Sequence, residues 1–191
     1  MLSRASRQRW WRRAAIAPGT PLPQRRLFLL PTRFGLGWAV LVLLLLLFGI
    51  NYQNTLAYVL AFWLFGLGVV ALLRTWRNLL GVTATLRLPG EVFAGGEARL
   101  GVVLAGGRPR TGLVLHAAGV SARIDLPQGQ GEALLALPAP ARGVQPLPRI
   151  RLETRWPLGV VRALAWLQSE EPLLVYPRPL EEDEPEHRHA G

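Results

Sequence analysis

An uncharged stretch of forty residues, 34–73, constrains the fold of this chain more than any other sequence feature. A single straight α-helix of that length would measure about 60 Å, roughly twice the hydrocarbon thickness of a bilayer. The stretch is apolar except at 51–54, where Asn51, Gln53 and Asn54 carry amides that are costly to bury in hydrocarbon. The sequence therefore predicts a membrane α-helical hairpin over 34–73, with two transmembrane helices and a turn at 51–54.

The two predicted spans cover about 34–50 and 55–73, each close to the minimum length for crossing a bilayer. Tyr52 and Tyr58 flank the turn, where interfacial aromatic residues are common. The alternative is a buried helical pair in a soluble all-α protein. The run VLVLLLLLF disfavours this alternative, because it is apolar all round and offers no polar face to water.

Small residues recur along one stripe of the second span, and such spacing lets helix backbones approach closely. The stripe comprises Ala57, Ala61, Gly68 and Ala71, and the first span carries a small pair, Gly35 and Ala39. We expect these residues to form the contact between the spans. The alternative is that they reflect only the ordinary composition of membrane helices.

Arginine placement predicts the orientation of the hairpin. All 22 basic residues are arginine; eight of them lie in the segment 1–33, which has no acidic residue. Arg74 and Arg77 follow the second span, whereas the turn between the spans is uncharged. Because basic residues are retained on the cytoplasmic side, we expect a basic cytoplasmic segment over 1–33 and both termini in the cytoplasm.

The first 33 residues also allow a different interpretation. Arg25 and Arg26, followed by Leu27 and Phe28, resemble the twin-arginine export pattern, which would make the protein an exported, membrane-tethered β-domain. A cleavable signal needs an apolar core that ends in a small-residue cleavage site, and no such site follows here. We favour a positively charged anchor, with the prolines at 18, 21 and 23 forming an extended linker toward the membrane.

Short apolar stretches at roughly ten-residue spacing, separated by Gly and Pro, replace the helical pattern after about residue 81. In VTATLRL, for example, apolar residues alternate with Thr83, Thr85 and Arg87, as in a strand with one buried face. Seven such stretches predict a small all-β antiparallel sandwich over 81–180. The residues 181–191 are acidic and poor in apolar residues, which predicts a disordered acidic tail.

Few residues point to catalysis. Cysteine is absent, which excludes disulfides and thiolate zinc sites. We expect His116 to be a half-buried strand residue rather than a general base, and His187 and His189 to make only a weak metal site without a fixed third ligand. No nucleophile elbow or Walker-type loop occurs. We therefore assign no catalytic, cofactor-binding or metal residues and expect a protein that is not an enzyme.

The formal net charge of +10 suggests nucleic-acid binding, but the few aromatic residues of the predicted sandwich form no stacking platform. We expect no nucleic-acid partner, and a lipid bilayer as the surface that uses the positive charge.

Three motifs, in this order, carry a family resemblance: INYQN after a leucine run, TRWPLG and VYPRP. Together, over about 27–179, they resemble the amino-terminal half of the bacterial domain-of-unknown-function family 58. The resemblance implies a multi-pass protein of the bacterial inner membrane with a hairpin anchor and a cytoplasmic β-domain. It also implies a MoxR-type AAA+ ATPase and a transglutaminase-like membrane protein as partners, in the assembly or maturation of other proteins.

Members of that family continue past YPRP into a von Willebrand A-like region, whereas this chain ends at Gly191. A fragment, a truncated reading frame and a separate second subunit are the alternatives. Our leading hypothesis is a non-enzymatic inner-membrane anchor and scaffold, whose β-domain docks the ATPase or a von Willebrand A-like subunit. The rival is the membrane or regulatory half of a transglutaminase- or peptidase-type enzyme system. The loop at 154–159 is interpreted either as a docking contact or, preferably, as a structural turn.

Overall fold

The structure is a computed structural model and describes residues 17–23, 26–139, 141–169 and 171–177. Two long apolar helices, α1 (Arg33–Tyr52) and α2 (Thr55–Leu79), are followed by a set of mainly antiparallel β-sheets. The structure thus confirms a helical hairpin followed by a β-domain. The predicted acidic tail, with His187 and His189, lies outside the described residues, as do residues 1–16 of the predicted basic segment.

The polar residues at the centre of the apolar stretch form the connection between the helices. Helix α1 ends at Tyr52 and is capped by Gln53, which adopts the left-handed conformation (φ 46°) that closes many helices. Asn54 then caps α2, because its side-chain oxygen accepts hydrogen bonds from the N–H groups of Leu56 (3.0 Å) and Ala57 (3.2 Å). The polar residues therefore terminate one helix and start the next within two positions.

We expect Asn54→Ala to lower the free energy of unfolding by about 1 kcal/mol, because it leaves two N–H groups of α2 without their cap. Denaturant titration of the protein in detergent micelles, followed by circular dichroism, measures this change. Asn51→Ala is the matched control: Asn51 is exposed within α1, and its loss should change stability by only a few tenths of a kcal/mol. Equal effects of the two substitutions would contradict the capping role.

The two helices contact each other through the small residues of α2. Ala57, Ala61 and Ala71 are buried, and the indole Nε1 of Trp38 donates a hydrogen bond across the contact to the Leu64 carbonyl (3.2 Å). The predicted stripe on α2 therefore lies at the helix contact. The predicted pair on α1 does not, since Ala39 is exposed and Gly35 packs against the β-domain.

Both helices are long and apolar enough to cross a membrane. Only 17% of the most apolar 18-residue window of each helix is buried, so most of this apolar surface is open. A helical pair inside a soluble protein would need protein around it, and the described ranges of the chain provide no such cover.

The described β-domain consists of a five-stranded sheet in the order β1-β10-β9-β5-β6 and two three-stranded sheets, β2-β4-β7 and β3-β11-β8. Their strands are β1 (Phe28–Pro31), β2 (Thr83–Arg87), β3 (Val92–Phe93), β4 (Gly96–Ala105), β5 (Arg110–Ala117), β6 (Val120–Leu126), β7 (Gln130–Ala139), β8 (Gly143–Pro146), β9 (Ile150–Thr154), β10 (Val161–Leu167) and β11 (Pro172–Tyr176). Leucines from the sheets fill one shared core, as in a β-sandwich.

All seven stretches predicted as strands form strands, but four further strands occur among the described residues. Strand β6 was missed although its inward side chains, Ala122, Ile124 and Leu126, alternate with polar ones. Strands β3 and β8 are too short to carry a pattern, and β3 pairs with β11 in parallel, so the domain is not wholly antiparallel. Strand β1 precedes α1 and pairs with β10, at the edge of the five-stranded sheet.

The segment before β1 also belongs to the β-domain. Leu22 is only 2% exposed and lies in the shared core, where its N–H donates to the Val82 carbonyl (2.9 Å). Gly19 donates to the carbonyl of Ala84 (2.7 Å) in the same way. The prediction of an extended linker toward the membrane is therefore wrong for residues 19–22, because burial of Leu22 and pairing with β2 hold them against the sheet.

Candidate functional site

The loop between β9 and β10, residues 155–160, lies against both helices; we call it the junction loop. Thr32, which caps α1, donates its hydroxyl to the carbonyl oxygen of Gly159 (2.5 Å) and its backbone N–H to that of Val160 (3.1 Å). The Thr75 hydroxyl of α2 lies 2.8 Å from the Trp156 carbonyl and 2.8 Å from the Ala71 carbonyl of its own helix, and shares its hydrogen between them. Because the loop is held from both sides, its position relative to the hairpin is fixed.

Gly35 allows α1 to approach this loop. A Cβ atom at Gly35 would lie 1.9 Å from the carbonyl oxygen of Val160, far inside any tolerable contact. The two nearest atoms, the oxygen and carbon of the Val160 carbonyl, belong to the backbone, which cannot rotate aside as a long side chain can. The close contact between α1 and the β-domain therefore requires glycine at this position.

The last turn of α2 enters the β-domain. Thr75, Asn78 and Leu79 are buried there, and Leu79 is part of the shared core. The Asn78 amide donates two hydrogen bonds of 2.9 Å, to the Thr111 carbonyl and to the Thr154 hydroxyl. These contacts tie the helix to β5 and β9, two of the three inner strands of the five-stranded sheet.

Arg110 closes the end of α2 although it is only 3% exposed. Its guanidinium donates to the carbonyl oxygens of Asn78 (2.6 Å), Leu80 (2.8 Å) and Gly106 (3.0 Å). The carbonyls at a helix C-terminus lack partners within the helix and carry partial negative charge, which suits a cation. Burial lowers the pKa of Arg110 from its usual value, and repulsion from Arg108 adds to the effect.

One buried carboxylate lies on the outer face of the five-stranded sheet. Glu153, 2% exposed, forms ion pairs with Arg155 (Oε1 to Nε, 2.8 Å) and Arg151 (Oε2 to Nη2, 3.4 Å). His116 is half-buried, as expected, and lies in register with Arg151 rather than with an acid. Glu153 is thus paired with two arginines rather than with a histidine or a second acid.

An exposed apolar surface lies on the sheet β3-β11-β8. The side chains of Phe93, Val144, Leu174 and Tyr176 are 41%, 70%, 49% and 42% exposed; we call them the apolar sheet face. Tyr176 lies in register with Phe93, and Leu174 with Val144, so all four point away from the core. Contiguous exposed apolar residues of this kind mark interaction surfaces.

No group of three or more His, Cys, Asp or Glu side chains with a metal-site arrangement occurs in the described part of the chain. The loop that the sequence interpretation singled out, 154–159, makes structural contacts with both helices, in agreement with the preferred interpretation. Sequence reasoning did not identify Gly35, Asn78 and Arg110 as residues that attach the hairpin to the β-domain; we call this attachment the joint. The available signal was the polar face of RTWRN directly after the second span, where Thr75 and Asn78 are three residues apart.

Comparison with protein-family models, with curated proteins and with solved structures finds no match to this chain. The function is therefore inferred from two features of the structure. One is the hydrogen-bonded joint between the hairpin and the β-domain, and the other is the apolar sheet face.

Proposed function

We propose that this protein is a non-enzymatic anchor and scaffold of the bacterial inner membrane. In this proposal the hairpin crosses the bilayer twice with both termini in the cytoplasm, and the β-domain presents a docking surface to a partner protein. The open apolar surface of both helices and the arginines at 33, 74 and 77, which flank the spans on one side, support the membrane topology.

The observation that carries the proposal is the double attachment of the β-domain to the hairpin. Thr32 holds the junction loop at the start of α1, and Asn78 and Arg110 hold the end of α2. A flexible tether would serve if the membrane were needed only to concentrate the β-domain. The hydrogen bonds at these two attachments, part-buried at Thr32 and buried at Asn78, favour a domain whose docking surface keeps one orientation to the membrane.

The apolar sheet face is the proposed docking surface. Its four side chains form a contiguous apolar area, typical of the centre of a protein interface. A MoxR-type AAA+ ATPase is the proposed partner, and a separate von Willebrand A-like subunit is the alternative partner. Both follow from the resemblance to family 58, which we also propose as the family of this chain.

Adding charge to the apolar sheet face should abolish docking. We expect Val144→Asp combined with Leu174→Asp to lower capture of a purified MoxR-type ATPase by the detergent-solubilised protein at least tenfold, because buried unpaired carboxylates are costly. Leu134→Asp is the matched control: Leu134 is 62% exposed on β7, in another sheet, and its substitution should leave capture unchanged.

The wild-type protein must itself capture either the ATPase or a von Willebrand A-like subunit. If neither purified partner binds in the presence of nucleotide, the docking role is wrong. If the double variant, Val144→Asp with Leu174→Asp, captures the partner as well as the wild-type protein does, the partner binds a different surface.

A further inference from the structure

The junction loop lies at the same height along α1 as the first apolar residues of the predicted span. The Val160 carbonyl touches the backbone at Gly35, two residues beyond Arg33, the last charged residue before the span. Two residues of α-helix correspond to about 3 Å. The polar headgroup layer on each side of a bilayer is about 5–7 Å thick. If α1 crosses the membrane, the loop must therefore lie within the headgroup layer.

The exposed side chains at this end of the β-domain suit that layer. Trp156 and Leu158, at the tip of the junction loop, are 40% and 41% exposed. Leu30 of β1, just before α1, is 40% exposed. Tryptophan is enriched at membrane interfaces because its ring is amphipathic, and leucine side chains gain by leaving water.

Basic residues accompany these apolar side chains. Arg162 of β10 lies in register with Leu30, so both side chains project from the same face of the sheet. Arg162 is half-buried, so part of its side chain reaches the surface. Arg33 is exposed at the first position of α1. Guanidinium groups in such positions suit the phosphate oxygens of lipid headgroups.

We propose that Leu30, Arg33, Trp156, Leu158 and Arg162 form a lipid-binding collar that inserts into the headgroup layer and prefers anionic phospholipids. This inference rests on the membrane topology proposed above and adds a second lipid contact, made by the β-domain itself. The collar is continuous with the open apolar surface of α1, which lipid tails cover in that topology. The β-domain thus lies directly on the membrane and cannot stand away from it.

The absence of cysteine allows single nitroxide labels to measure immersion in reconstituted bilayers without removing native thiols. Labels are placed at Leu158→Cys in the collar, at Phe62→Cys in α2 and at Val144→Cys on the apolar sheet face. We expect the Leu158 label to be less accessible to a water-soluble nickel chelate than the Val144 label and more accessible than the Phe62 label, as at headgroup depth. The Val144 label should be open to the chelate.

The Phe62 label separates the two proposals, since Phe62 is 65% exposed in the middle of a proposed span. A Phe62 label deep in the bilayer with a Leu158 label open to the chelate would overturn the collar and leave the membrane topology intact. A Phe62 label open to the chelate would overturn both.

Lipid preference is tested by native mass spectrometry of the full chain titrated with phosphatidylglycerol or phosphatidylcholine. We expect Arg33→Gln combined with Arg162→Gln to lower the affinity for phosphatidylglycerol roughly 25-fold, since each arginine near an anionic surface contributes about fivefold. Arg99→Gln is the matched control: Arg99 is an exposed arginine on β4, outside the collar, and its substitution should leave lipid binding as in wild type. An unchanged affinity in the double variant would overturn the anionic preference.

Discussion

Gly35→Ala is expected to lower the free energy of unfolding by about 3 kcal/mol, since the new methyl group would overlap the Val160 carbonyl oxygen. Either α1 or the junction loop must move, and the hydrogen bonds from Thr32 to Gly159 and Val160 stretch with it. Denaturant titration in detergent micelles measures the stability. Faster tryptic cleavage after Arg155, in the junction loop, would report the local detachment.

Gly37→Ala provides the matched control, two positions along the same helix. No atom lies within 4 Å of the Cβ that this substitution adds. Alanine favours a helix over glycine by about 0.5–1 kcal/mol, so Gly37→Ala should be neutral or stabilising. If both substitutions had the same effect, close packing at Gly35 would not be the reason for glycine there.

Arg110→Met is expected to cost about 3 kcal/mol or more, because it leaves the carbonyls of Asn78, Leu80 and Gly106 without their donor in a buried site. Methionine retains much of the volume, so the loss reports the hydrogen bonds rather than a cavity. The same denaturant titration measures this loss of stability. If the substitution weakens the attachment of α2 specifically, a probe on α2 should report unfolding at a lower denaturant concentration than a probe on the β-sheets.

Arg108→Met is the control for charge alone. Arg108 is exposed and its repulsion contributes to the lowered pKa of Arg110, so its removal should be neutral or slightly stabilising. Arg110→Lys should be nearly as destabilising as Arg110→Met, because an ammonium group lacks the planar fork that reaches three carbonyls. Full stability of Arg110→Lys would show that the site needs only a positive charge.

Gly35→Ala and Arg110→Met test the attachment of the hairpin to the β-domain at its two ends, Gly35→Ala at the start of α1 and Arg110→Met at the end of α2. If the proposed scaffold depends on a fixed orientation, each should weaken partner capture even though both lie outside the apolar sheet face. A β-domain that captures the ATPase equally well after either substitution would need no rigid joint.

The sequence predicted the features that depend on local pattern. The uncharged stretch with its polar break predicted both helices and their turn, and Asn54 lies where the second helix starts. Short apolar stretches separated by Gly and Pro, several of them alternating, predicted seven strands. Strands β3 and β8 were not predicted, because a strand of two or four residues has too few positions to show alternation.

The candidate site was harder to predict than the helices. Gly35 was assigned to helix–helix contact, because small residues at that spacing serve there in many membrane proteins. Its actual neighbour, Val160, is 125 positions away in the chain, and no local pattern links the two. Leu22 was assigned to a linker because the surrounding prolines suggested extended chain, and the backbone is indeed extended but pairs with β2.

By itself, the sequence determined that two apolar helices form a hairpin and that a β-domain follows, since apolar content, charge and period are local properties of the chain. Only the tertiary structure decided that the segments on both sides of the hairpin lock onto the β-domain. That attachment consists mainly of hydrogen bonds to backbone carbonyls, such as the one from Thr32 to Gly159 across 127 positions. Every residue carries a carbonyl, so composition and spacing give no sign of which ones a distant side chain will meet.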